Sequence, residues 1–64
     1  MLSANIKKLR KKYHLSQEQL AKKADITYST LIKIESGNNK NPTLETLQKL
    51  AKVLKVSLDE LARR

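Results

Sequence analysis

Apolar side chains recur along this chain at steps of three and four residues and never alternate with polar ones over four positions, which is the helical period and not the strand period. Leu2, Ile6, Leu9 and Tyr13 follow one another at steps of four, three and four, and predict a first helix beginning at Ser3. Ser16 with Gln19 has the form of a capping box, in which a side-chain oxygen accepts from an unpaired first-turn amide. Leu15 and Leu20 flank it as a hydrophobic staple, and the second helix runs through Leu20, Ala21 and Ala24 until Asp25-Ile26 interrupts the pattern. Thr27 caps a third helix over about residues 28–36, with Ile26 and Leu31 in staple positions and Gly37 as the left-handed residue that ends it. Thr43, after Pro42, starts a fourth, striped by Leu44, Leu47, Leu50, Ala51 and Leu54 and loaded toward its end with Lys49, Lys52 and Lys55. Ser57 and Glu60 form a second capping box, with Val56 and Leu61 stapling a fifth helix.

These elements make an all-α chain, a compact five-helix domain over residues 1–64. Gly37 and Pro42 bracket Asn38-Asn39-Lys40-Asn41, the one clear loop. The link between the second and third helices is so short that they must cross at a large angle, giving a helix-turn-helix over about residues 16–37. His14, between Tyr13 and the second cap, reads as a helix-ending residue in the left-handed conformation.

Charge narrows the function. Lys and Arg number 14 against 6 acids in 64 residues, a net +8 that suits a polyanionic partner, nucleic acid first and an anionic membrane surface second. With 39% hydrophobic residues the chain folds rather than staying disordered. No apolar run approaches the roughly twenty residues of a membrane span, and no signal-peptide stretch follows Met1. The absence of cysteine removes disulfides and thiolate metal sites and points to a reducing, cytoplasmic setting. A single His without a second ligand nearby, serines assigned to caps, and no paired carboxylates or glycine-rich phosphate loop argue against an enzyme; no cofactor or metal is expected. A cationic membrane binder is the rival of another class, but it would show one long stripe rich in bulky aromatics, and only Tyr13 and Tyr28 are aromatic.

The run Leu15-Ser16-Gln17-Glu18-Gln19-Leu20-Ala21, then Ala24-Asp25-Ile26-Thr27, then Leu31-Ile32-Lys33-Ile34-Glu35-Ser36-Gly37 with Pro42-Thr43-Leu44 beyond, resembles the DNA-binding domains of lambdoid phage repressors and Cro, the Xre-type helix-turn-helix family. The resemblance covers nearly the whole chain. It implies five helices, a third helix that reads the major groove, and a bacterial or phage-encoded regulator, most often a repressor, bound as a homodimer to a pseudo-palindromic operator. Restriction-modification controllers and antitoxins share the fold and are alternatives within it. Asp25 departs from the family, which often has glycine there; aspartate tolerates positive φ better than most residues, at some cost.

On a helical wheel Leu31, Ile34 and Glu35 share one side of the third helix while Ser29, Lys33 and Ser36 face the other. The first residues of a recognition helix meet base edges, so Tyr28, Ser29 and Lys33 are candidate readers, with Thr30 and Ile32 flanking. Lys33 suits guanine O6 or N7; Ile32 suits a thymine methyl equally as well as an ordinary exposed position. Gln17 at the start of the second helix, together with Ser36, Asn38, Asn39 and Lys40, forms the candidate phosphate-binding set. Lys7, Lys8, Lys11 and Lys12 on the first helix read as a solvated face giving diffuse attraction. Arg10 and Glu35 both fall on core-facing sectors, so they are expected to pair across the core, as the matching positions do in the phage repressors. Val56, Leu58 and Leu61 offer more apolar surface than a terminal helix needs and are the expected two-fold contact.

Overall fold

The computed structural model describes residues 2–63 of the expected 1–64 domain and contains α1 (Leu2–Lys12), α2 (Gln17–Lys23), α3 (Tyr28–Glu35), α4 (Leu44–Leu54) and α5 (Leu58–Ala62). No strand occurs among the described residues. Ser16, Thr27, Thr43 and Ser57 each stand in extended backbone and accept from the amide three residues on, and the boxes at Ser16/Gln19 and Ser57/Glu60 are closed in both directions. Ser3 is different: α1 already includes Leu2, so Ser3 lies within the first turn and is not its cap, because capping requires a residue still outside the helix.

One three-residue connector is used three times. His14-Leu15-Ser16, Asp25-Ile26-Thr27 and Lys55-Val56-Ser57 each place a left-handed residue (φ 56°, 55° and 59°), then an apolar one, then the cap of the next helix. The apolar residue's amide reaches back five residues, Leu15 to the Arg10 carbonyl (3.0 Å), Ile26 to Ala21 (3.0 Å) and Val56 to Ala51 (3.1 Å), the outer bond of a Schellman turn. Its side chain packs against the core, so it closes one helix and staples the next. α3 ends otherwise: Gly37 takes φ 85°, and the amide that returns to the Lys33 carbonyl is that of Asn39 (3.0 Å), not of residue 38.

Ile6, Leu20, Ala21, Ala24, Leu31, Ile34, Leu50, Ala51, Leu54 and Leu61 form one buried cluster drawn from all five helices. Two expectations about apolar surface are corrected here. Leu44 is 61% exposed, because it sits in the first turn of α4 and at the margin of the stripe that Leu47, Leu50, Ala51 and Leu54 turn inward. Leu61 is fully buried as the core residue of α5, so it is not available to a two-fold surface; Val56 and Leu58 remain half-buried. Across the base of the bundle the Asn5 Nδ2 donates to the carbonyls of Leu61 (2.9 Å) and Arg63, tying the end of α5 to α1.

Candidate nucleic-acid interface

Helix packing fixes what α3 can present. Leu31, Ile34 and Glu35 are buried, which turns Tyr28, Ser29, Lys33 and Ser36 outward; Tyr28 is 48% exposed, while Thr30 and Ile32 are half-buried at the margins. Thr30 is partly committed to the cap: its hydroxyl lies 2.6 Å from the Thr27 Oγ1, which also accepts from the Thr30 amide (3.2 Å). Ser29 Oγ stands at 3.4 Å from the same Thr27 oxygen, so the first turn of α3 is a small hydroxyl network beside the Tyr28 ring position. Lys33 projects from the exposed face one turn further along.

The loop beyond α3 is organised by its own side chains. Ser36 Oγ donates to the Lys33 carbonyl (3.1 Å) and accepts from the Asn38 amide (3.4 Å), and Asn39 Oδ1 accepts from the Asn41 amide (3.1 Å). Asn38 and Lys40 are exposed there, and residues 36–41 contain no acid. Lys33 in the last turn of α3 and Ser36, Asn38 and Lys40 beyond it are therefore exposed polar and cationic side chains. At the turn between α2 and α3 the Lys49 ammonium lies 3.3 Å from the Glu45 carboxylate and donates to the Asp25 backbone carbonyl at 3.5 Å.

Behind this surface Arg10 and Glu35 meet as expected from the sequence. Arg10 Nε donates to Glu35 Oε2 (2.9 Å) and Nη2 to Oε1 (3.1 Å), a bidentate pair, while Nη1 donates to the Leu15 carbonyl (2.9 Å). The side chains are 13% and 1% exposed, so the pair locks α1 onto α3 and onto the connector entering α2. Gln17 brings an interaction that sequence reading did not foresee: its Nε2 donates to Glu35 Oε1 at 3.2 Å. A second unforeseen feature is just past the end of α1, where the Lys12 and Lys55 ammoniums sit 5.7 and 5.9 Å from the centre of the Tyr13 ring. No helix among the described residues is long and apolar enough to cross a membrane.

A family model described as helix-turn-helix matches residues 6–61. An uncharacterised HTH-type transcriptional regulator of Archaeoglobus fulgidus is 33% identical over 60 residues, which span 94% of this chain and 84% of the relative. The HTH-type transcriptional regulator SinR of Bacillus subtilis is 38% identical over 61 residues, 95% of this chain and 55% of SinR, so the chain spans about half the length of that relative. Among solved structures, the N-terminal DNA-binding domain of SinR is similar at a TM-score of 0.96 with 36% identity, covering 100% of this chain and 93% of that one. SinR in complex with DNA gives 0.92 with 38% identity, covering 95% of this chain and 97% of that one.

Proposed function

This chain belongs to the helix-turn-helix family, and we infer that it is a DNA-binding transcriptional regulator and not an enzyme, a repressor that reads the major groove of double-stranded DNA with α3. The observation that carries the reading is the outward face of α3, where Tyr28, Ser29 and Lys33 are exposed on a helix whose other side is locked by Leu31, Ile34 and Glu35. The likeness to a SinR structure in complex with DNA supports it. Lys33 and Ser29 read base edges, with Tyr28, Thr30 and Ile32 shaping the contact; Gln17, Ser36, Asn38, Asn39 and Lys40 grip the backbone. The domain acts in the cytoplasm as a homodimer, with Val56 and Leu58 in the two-fold contact, on a pseudo-palindromic operator whose half-sites lie about 34–36 Å apart.

Selection of bound duplexes from a random pool, then titration of point variants against every single-base change in the half-site, tests this. Lys33→Ala or Ser29→Ala is expected to cost about 1–3 kcal/mol on the preferred site and to relax selectivity at one base pair. Lys40→Ala is expected to weaken all sites alike and to lower the salt slope by about one ion. Selection that enriches no sequence, or uniform loss from Lys33→Ala, would refute the assignment.

A further inference from the structure

Among the described residues Glu35 is the only buried polar or charged side chain, and its carboxylate accepts three hydrogen bonds. Two come from Arg10, and those alone balance the charge. The third, from Gln17 Nε2, adds nothing to neutrality. What it does is fix the direction of a flexible, half-buried side chain at the start of α2 by tying it to a carboxylate of α3. An ionised carboxylate only accepts, so it draws the NH2 end of the carboxamide inward and repels the oxygen end. One N–H of Gln17 is thereby committed to Glu35, and the planar amide sets the direction of the other.

We propose that Glu35 is a positioning residue for the DNA backbone: it holds Gln17 so that the second N–H of Nε2 is presented to a phosphate oxygen before DNA arrives. This rests on the reading of the chain as a DNA-binding regulator. Gln17 cannot do this by chain stiffness, since a glutamine side chain is among those that lose the most rotamer entropy when fixed. The bond to Glu35 meets that cost in the free protein, which leaves more of the phosphate contact to appear as affinity. The ion pair therefore acts on recognition through Gln17 as well as holding α1 to α3.

A double-mutant cycle on affinity for the selected duplex tests the coupling. The background is Arg10→Met with Glu35→Leu, an apolar exchange that removes both charges together and so strands neither. In the native chain Gln17→Ala is expected to weaken binding about tenfold, the loss of one hydrogen bond to a charged group. In the apolar background the same change is expected to cost less than about twofold, because Gln17 is already unheld. An equal loss in both backgrounds overturns the proposal, and so does a silent Gln17→Ala in a native chain that binds its duplex. A second measurement needs no variant: nitrogen relaxation of the Gln17 side-chain amide in the DNA-free native protein. An order parameter near the rigid value of about 0.85 is expected, and one below about 0.6 overturns the proposal. A native chain that binds no duplex at all refutes instead the regulator reading itself.

Discussion

Removing Glu35 alone should nearly unfold this domain. Glu35→Ala deletes the acceptor of three hydrogen bonds and leaves the Arg10 guanidinium, 13% exposed, with only the Leu15 carbonyl as its remaining partner. Breaking a buried pair from one side costs about 3–5 kcal/mol, because the surviving charge stays desolvated without compensation. A domain of 64 residues has a total stability of only about 3–10 kcal/mol at the usual 0.05–0.15 kcal/mol per residue. The loss thus consumes a third or more of the whole. Urea melts followed by circular dichroism give the measurement; with a slope of about 1 kcal/mol per molar, the midpoint should fall by about 3–5 M, or the transition should vanish into the native baseline. Raising salt should not restore it, since the stranded charge is shielded from solvent ions. Exchanging both partners, Arg10→Met with Glu35→Leu, should be close to neutral. A loss below about 1 kcal/mol for Glu35→Ala, the level of a solvent-exposed pair, would refute the reasoning.

Gly37→Ala should destabilise by about 1–2 kcal/mol in thermal melts from backbone conformation alone, since φ is 85° and an added Cβ meets nothing within 4 Å. His14→Gly and Asp25→Gly should each add up to about 1 kcal/mol, because both residues hold positive φ; Lys55→Gly should gain less, as it forfeits the ammonium over Tyr13. Leu61→Ala should cost about 2–5 kcal/mol in urea melts, whereas Leu58→Ser should leave more of the fold intact and weaken self-association in sedimentation.

What the sequence disclosed and what it withheld divide along the range of the interactions. Ser16, Thr27, Thr43 and Ser57 were legible as caps because capping spans three residues and depends on local chemistry. The Arg10–Glu35 pair was legible across 25 residues because two opposite charges on inward sectors have few other solutions. Leu61 misled because a five-residue helix has too few positions to tell its buried side from its exposed one. Leu44 misled because spacing alone does not show whether a neighbouring element covers the first turn of a helix. Lys55 in the left-handed region gave no signal of its own, although Val56-Ser57 repeats the Leu15-Ser16 and Ile26-Thr27 pattern and could have revealed it. The Gln17 bond to Glu35 and the reach of Asn5 to Leu61 depend on packing alone.

That last contact bears on how the fold is specified. Asn5 grips the carbonyls of Leu61 and Arg63, residues 56 and 58 positions away, so the two extremities of the described chain lie side by side. The five helices thus form a ring, closed by the packing of α5 on α1 and by this asparagine side chain. A short peptide joining them would span little distance, and the exposed stretch around Asn38 and Lys40 offers a place to open the ring elsewhere. Such a permuted chain would begin at α4 and finish on α3 while keeping all three repeated connectors intact. Its core depends on which side chains meet and not on the order in which they are synthesised.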